Sequence, residues 1–118
     1  MFTTESIGNS TNLKCDYKKG DLVDEQSPYV GLCSLCWSIR TLPDNFTPRF
    51  INEKTCNYKD SDCLSKYGRC KQVYRSIDVL KNDASQEKPE WTQYTLNSPI
   101  GCECQVPQGS ALIDFVKK

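Results

Sequence analysis

Two stretches decide the fold of this sequence: Cys56-Asn-Tyr-Lys-Asp-Ser-Asp-Cys63-Leu-Ser-Lys-Tyr-Gly-Arg-Cys70 and, further along the chain, Cys102-Glu103-Cys104. Residues two apart on a strand point to the same face, so Cys102 and Cys104 can reach two partners that lie side by side. If Cys56 and Cys63 are those partners, the two bridges and the backbone between them close a ring. A further bridge from Cys70 to an upstream cysteine could then pass through that ring.

The composition indicates one small domain that depends on disulfides. Of 118 residues, 8 are cysteines and only 37% are apolar. A chain of this size and composition builds a small core, which secreted domains reinforce with disulfide bridges. Lys and Arg number 15, as do Asp and Glu, so the formal net charge is zero. A neutral chain gives no electrostatic reason to expect a nucleic acid as partner.

Two sequons and the absence of a long apolar run bear on the cellular location. Asn9 and Asn45 each begin an Asn-X-Ser/Thr tripeptide, and they are the candidate glycosylation sites. No run of residues is apolar enough to cross a bilayer, so we expect no membrane insertion. We therefore expect a secreted, extracellular protein whose export signal belongs to a longer precursor.

Metal, redox and catalytic uses of the cysteines are disfavoured by the residue inventory. Cys33-Ser-Leu-Cys36 has the CxxC spacing of zinc sites and redox centres, but no second CxxC follows and the chain has no histidine. We expect no metal and no other cofactor. Without histidine the commonest general base is missing, and no Ser or Cys has a recognisable activating partner. We therefore expect that the protein is not an enzyme and has no catalytic residues.

The chain divides into a polar arm and a domain. Residues 1–32 show no sustained hydrophobic period and are expected to form a largely flexible arm, anchored only at Cys15. In the domain, residues 33–118, alternating apolar and polar residues predict strands over 33–41, 49–55, 71–81 and 91–96. The tail from Ala111 fits either a short helix or a further strand.

The order of the motifs resembles a known family. The features are Pro48-Arg49-Phe50-Ile51 ahead of Cys56, the spacing of Cys56, Cys63 and Cys70, then Ser76-Ile77-Asp78-Val79-Leu80-Lys81, and finally Pro99-Ile100-Gly101-Cys102-Glu103-Cys104. The block from Cys33 to Cys104 resembles the prothoracicotropic hormone and Trunk family of insect cystine-knot ligands for the Torso receptor tyrosine kinase. The resemblance implies a small, disulfide-rich, all-β cystine-knot growth-factor fold with two elongated antiparallel β-ribbons, and a dimer.

The resemblance also implies a set of disulfides. Within one chain these are Cys36–Cys70, Cys56–Cys102 and Cys63–Cys104, while Cys33 joins Cys33 of a second chain. Cys15 has no counterpart in the family, so its pairing stays open. A bridge between Cys15 and Cys33 within one chain would leave the dimer non-covalent.

The function implied by the resemblance is that of a secreted hormone or growth factor. A dimeric ligand would bind two Torso-type receptor ectodomains and trigger signalling of the kind that times development and ecdysteroid release. Phe46 and Trp91, in loops at the ribbon ends, are the candidate receptor contacts. Phe46 could instead fold under its own loop, and Trp91 could lie in a ribbon or dimer core. Three alternatives stay open: an interleukin-17-like cytokine, a Spätzle- or neurotrophin-like cytokine for another receptor, and a secreted antagonist on a knot scaffold.

Overall fold

A computed structural model describes residues 2–3, 7–57 and 59–117, with no side-chain detail for 2–3. These residues form short and long strands and one short helix. In chain order they are β1 (Phe2–Thr3), β2 (Asn9–Tyr17), β3 (Leu35–Thr41), β4 (Phe46–Thr47), β5 (Phe50–Cys56), β6 (Asp62–Cys63), β7 (Gly68–Asn82), β8 (Trp91–Gln105) and α1 (Ile113–Val116). The fold is therefore a small, disulfide-rich, all-β fold.

Two antiparallel hairpins form the body of the molecule. β3 pairs with β5 along its whole length, and β7 pairs with β8 over nearly fifteen residues each. A single parallel bridge, between Lys54 and Ile100, joins the two hairpins. β2 extends the first hairpin by pairing antiparallel with β3, and the short strands β1, β4 and β6 lie beside β7 and β8. The predicted strands are present, and β8 is longer than the sequence pattern indicated.

The molecule is elongated because its hairpins are long and thin. Its extents are 59 × 32 × 24 Å and its radius of gyration is 18.1 Å. A compact domain of about 100 residues has a radius of gyration of about 13 Å. A shape of this kind leaves a large share of the surface exposed and little room for a shared interior.

One end of the molecule contains the hydrophobic core, and we call it the core end. Its fully buried side chains come from the loop after β3, from β4 and from the outer halves of β7 and β8: Leu42, Phe46, Val79 and Leu96. Partly buried residues surround them: Ile7, Ile51, Ile77 and Tyr94. Both hairpins turn at this end, so the loop 42–49 covers the inner face of the longer hairpin.

The middle of the molecule is polar. Glu53, on the inner face of β5, is 2% exposed. The Nε of Arg40 donates to one of its carboxylate oxygens at 2.7 Å, and the Ser10 hydroxyl donates to the other at 3.1 Å. Ser38, also on the inner face, donates to Asn12. Burying a carboxylate is costly unless it is paired and hydrogen-bonded, so these contacts hold β2 against β3 and β5.

The opposite end holds the four disulfides, and we call it the disulfide end. Cys33, Cys36 and Cys63 are as deeply buried as the apolar side chains of the core end. Covalent bridges thus occupy the interior at this end in place of a second hydrophobic cluster. In the described residues no helix is long and apolar enough to cross a bilayer.

The expectation of a flexible arm over residues 1–32 is wrong for much of that segment. Residues 9–17 form β2, which is paired with β3 from Asn9 opposite Thr41 to Tyr17 opposite Leu35. Residues 9–17 show no alternating pattern because β2 is an edge strand that faces solvent on one side and the polar middle of the molecule on the other. Residue 33, the expected start of the domain, therefore does not separate an arm from a domain: the segments on both sides of it belong to one folded unit.

Candidate functional site

The first of the long-range bridges joins Cys56 to Cys102, with the Cα atoms 5.0 Å apart. Its position follows from the parallel bridge between Lys54 and Ile100. Because both strands run in the same direction, the residues two positions further on also lie opposite each other. The bridge joins the last residue of β5 to the inner part of β8, and so connects the two hairpins covalently.

The second bridge joins Cys63 to Cys104 through a crowded turn, with the Cα atoms 6.1 Å apart. Cys63 lies opposite Gly68 in the pairing of β6 with β7. A Cβ atom on Gly68 would lie 2.9 Å from the Cys63 sulfur and 3.1 Å from the Cys104 sulfur. Gly68 is therefore required because the disulfide passes close to the backbone there.

Gln72 reinforces the junction beside these bridges, and sequence analysis did not single it out. Its side-chain oxygen accepts from the backbone N–H of Cys56 at 2.9 Å. Its Nε2 donates to the carbonyl oxygens of Lys54 at 2.8 Å and Gly101 at 2.7 Å. One side chain on β7 thus forms hydrogen bonds with the backbones of β5 and β8, next to the point where the backbone pairing between the hairpins ends. No sequence pattern could have identified it, because its partners are backbone groups of strands distant in sequence.

The third bridge differs from the one that the resemblance implies. The structure joins Cys33 to Cys70, with the Cα atoms 5.8 Å apart, so the expected Cys36–Cys70 bridge is wrong. The sulfurs of Cys33, Cys63 and Cys70 lie within 4.8 Å of one another. Cys33 precedes β3 and can turn toward β7, whereas Cys36 lies within β3 and its direction is fixed by strand pairing.

The fourth bridge joins Cys15 to Cys36. β2 and β3 place these two residues directly opposite each other. The predicted interchain bridge at Cys33 is therefore wrong for this structure, because Cys33 is already bonded to Cys70 and all eight cysteines pair within the chain. The open alternative of a Cys15–Cys33 bridge is also wrong, and the observed pairing leaves no cysteine to link two chains.

A polar latch fastens the segment after β2 to the loop before Cys63. The Nζ of Lys19 lies 2.8 Å from the Asp60 carboxylate, and the hydroxyl of Ser34 donates to the same carboxylate. The hydroxyl of Ser34 also accepts from the backbone N–H of Lys19. Hydrogen bonds from Lys19 and then Ser34 hold the pKa of Asp60 below its ordinary value, because they stabilise the charged form.

The two candidate receptor contacts lie in different environments. Phe46 is 7% exposed and packs in the core end, 6.1 Å from the ring of Tyr94. Its interpretation as an exposed receptor anchor is wrong, because the loop 42–49 folds over the inner face of β7 and β8 and buries it. Trp91 is 50% exposed at the start of β8, so it stays available for contact.

Both candidate glycosylation sites are exposed, and both lie toward the core end. Asn9 begins β2 opposite Thr41, the last residue of β3. Asn45 lies in the loop after β3, where its Nδ2 donates to the carbonyl oxygen of Asn82 at 3.3 Å. A glycan on either residue would therefore project from this end of the molecule.

Comparison with known proteins identifies one similar chain. A Caenorhabditis elegans protein, described as uncharacterized protein T16H12.9, is 39% identical over 111 residues. The match covers 94% of the present chain but only 35% of that protein. The chain thus spans about a third of the relative's length. No family model and no solved structure matches the chain.

Proposed function

We propose that the chain is a secreted cystine-knot ligand that acts as a dimer and brings together two copies of a Torso-type receptor tyrosine kinase. The observation that carries the proposal is the arrangement of three bridges at the disulfide end. Cys56–Cys102 and Cys63–Cys104 close a ring from the segments 56–63 and 102–104. The Cys33–Cys70 bridge lies against this ring, since its two sulfurs are within 4.8 Å of the Cys63 sulfur.

These contacts fit a bridge that threads the ring. The ring contains eight residues on one side and three on the other, which leaves space for two sulfur atoms. Cys33 would occupy the threading position that the resemblance assigned to Cys36. The exchange of Cys36 for Cys33 is local, because the two cysteines are three positions apart. The ring bridges Cys56–Cys102 and Cys63–Cys104 are the same as those that the resemblance implies.

The oxidising conditions that four disulfides require are those of the secretory route and the cell exterior. Four bridges in a domain of this size are compatible with an extracellular protein. The exposed sequon residues Asn9 and Asn45 would receive glycans on that route.

A dimer is the state in which such a ligand can act. A two-fold dimer presents each surface twice, so it can hold two receptor ectodomains at a fixed separation and bring their kinase domains together. Since all eight cysteines pair within the chain, we propose that the dimer is non-covalent. This departs from the covalent dimer that the resemblance implies.

Mass and signalling measurements test this proposal. The oxidised, unglycosylated protein should elute with twice the 13.5 kDa mass of one chain in light scattering, and should run as one chain on a non-reducing denaturing gel. It should then induce phosphorylation of a Torso-type receptor in cells that express it. A monomer that binds the receptor and blocks phosphorylation would favour an antagonist. Absence of receptor binding would overturn the receptor assignment and direct the test to the receptors of interleukin-17-like and of Spätzle- or neurotrophin-like cytokines.

A further inference from the structure

An ordered loop between β2 and Cys33 carries apolar side chains into solvent. We call residues 20–31 the acidic loop. Leu22 lies opposite Val30 in an antiparallel bridge, so both side chains point to one side of the loop. They are 51% and 50% exposed, and Tyr29 is 75% exposed. This is a concentration of exposed apolar surface within a segment of twelve residues.

The acidic loop is held in place at its base. The backbone N–H of Gly20 donates to the carbonyl of Gly31 at 2.8 Å, and the N–H of Gly31 donates to that of Asp21 at 3.0 Å. Gly31 packs on the ring of Tyr17, since a Cβ at that position would lie 2.2 Å from a ring carbon. The latch through Lys19 then ties the base to the disulfide end. The exposed side chains are thus presented on a pre-ordered support.

Further exposed apolar side chains lie next in sequence to the cysteines where the loop joins the disulfide end. Leu32 precedes Cys33 and Leu64 follows Cys63, and the sulfurs of those two cysteines lie within 4.8 Å. Leu32 is 49% exposed, Leu64 is 40% and nearby Tyr67 is 51%. An exposed apolar group of this size, attached to one rigid end, is typical of a protein-binding surface.

Charge specifies the kind of partner. The acidic loop contains Asp21, Asp24 and Glu25 and no Lys or Arg. In the described part of the chain none of these three carboxylates forms a salt bridge, whereas Lys19 at the base is already paired with Asp60. A loop with net charge of −3 in a neutral protein attracts a basic surface and repels an acidic one.

We propose that the acidic loop, together with Leu32, Leu64 and Tyr67, binds a protein surface that combines apolar and basic side chains. The proposal rests on the proposed function, and the partner is then the receptor ectodomain. The candidate glycosylation sites Asn9 and Asn45 lie toward the other end, so glycans there would leave the acidic loop free. Receptor contact would therefore extend to the disulfide end as well as the core end, where Trp91 begins β8.

The test compares three variants with wild type in binding to an immobilised Torso-type ectodomain. The variants are Tyr29→Ser, the pair Leu22→Ser with Val30→Ser, and the pair Asp24→Lys with Glu25→Lys. The matched control is Phe50→Ser, which alters a 60% exposed apolar residue far from the loop. Each variant must keep the wild-type disulfide pattern and thermal midpoint, which is expected because the altered side chains are exposed.

We expect each of the three variants to weaken receptor binding at least tenfold and the Phe50→Ser control to leave it within twofold. Charge reversal should also lower the salt dependence of the association rate. If wild type binds the receptor and all three variants bind equally well, the inference is overturned while the proposed function stands.

If wild type does not bind the ectodomain, the proposed function fails and a second probe decides the inference. A 20-residue peptide of Leu and Lys is titrated into ¹⁵N-labelled protein, beside a peptide in which every Lys is Glu. Shifts in the amide resonances of residues 20–32 with the Lys peptide alone would support the surface. Shifts elsewhere, equal shifts with both peptides, or none at all would overturn it.

Discussion

The two ends of the molecule are stabilised by different physical means. At the core end, four apolar side chains from two hairpins pack together. At the disulfide end, buried sulfur atoms take the place of such a cluster. Polar contacts of Gln72 connect the strands there, and those of Asp60 connect the loops. Packing gives stability only where side chains from several strands converge, whereas a bridge needs two residues. A chain with few apolar residues can therefore hold its second end in a fixed structure by disulfides. The loops at that end then stay exposed and available for binding.

The largest effect is expected from removing a bridge at the disulfide end. Replacing Cys63 and Cys104 by Ala together opens the ring of eight plus three residues, because the Cys56–Cys102 bridge remains. The chain-entropy model values a loop of this length at about 3 kcal/mol, and the loss of the buried Cys63 sulfur adds to that. Because little apolar packing supports this end, we expect the double variant to be largely unfolded at 37 °C. Circular dichroism and urea unfolding measure this.

The matched comparison is the double variant Cys15→Ala with Cys36→Ala. Its bridge holds the edge strand β2, whose side chains are nearly all exposed. We expect this variant to retain both hairpins and to unfold cooperatively, at a urea concentration lower than that needed to unfold the wild-type protein. Equal damage from the two double variants would contradict the distinction between the central ring and the edge bridge.

At the core end the corresponding change is Phe46→Ala. Removing a buried aromatic side chain leaves a cavity and costs about 3 kcal/mol. Phe50→Ala, at a 60% exposed site in the next strand, should change the free energy of unfolding by less than about 0.5 kcal/mol. If the two variants unfold at the same urea concentration, Phe46 is not part of a packed core.

A smaller loss is expected at the junction of the hairpins. Gln72→Ala leaves the N–H of Cys56 and two carbonyl groups without their partner, at a cost of about 1–3 kcal/mol. The exposed Gln93 on β8 is the control, and Gln93→Ala should change stability by less than about 0.5 kcal/mol. Urea unfolding with the disulfides intact compares them. Similar losses for the two would show that the Gln72 hydrogen bonds contribute nothing.

The smallest effect concerns the polar latch and depends on pH. The pKa of Asp60 is lower in the folded chain than in the unfolded chain, so its contribution is present above the unfolded value and is lost as pH falls through the folded value. Asp60→Asn should cost less than about 1 kcal/mol at pH 7. The difference from wild type should begin to shrink below about pH 4, the unfolded value, and disappear once pH is below the lower folded value. The exposed acid Glu87 provides the control variant Glu87→Gln. A difference from wild type that persists at pH 2 would exclude the carboxylate as its cause.

The sequence predicted the parts of the fold that local pattern controls. Alternation predicted the strands that became β3, β5 and β7, and the resemblance implied Cys56–Cys102 and Cys63–Cys104. The alternating pattern could not predict β2, because a strand with polar residues on both faces has no periodic signal. The choice between Cys33 and Cys36 depends on the pairing of β3 with that same strand, which places Cys36 opposite Cys15. The resemblance, which has no counterpart of Cys15, therefore implied the wrong partner for Cys70.

The candidate site was predictable only in part for a similar reason. Phe46 lies in a turn-rich segment that local chemistry predicts to be exposed, and only contact with β7 and β8 buries it. The acidic loop has no hydrophobic period, so its sequence predicts a flexible arm. Its order depends on Tyr17, Lys19 and Asp60, contacts between residues that no short-range pattern links.

Disulfide mapping tests the central claim most directly: Cys56–Cys102 and Cys63–Cys104 close a ring, Cys33 pairs with Cys70, and no cysteine is left for a second chain. Chymotrypsin can separate Cys33 from Cys36 at Leu35, and a glutamyl protease can separate Cys102 from Cys104 at Glu103. Mass spectrometry of the unreduced digest should give four linked pairs: Cys15–Cys36, Cys33–Cys70, Cys56–Cys102 and Cys63–Cys104. A peptide that joins Cys33 to another Cys33, or Cys36 to Cys70, would contradict the account.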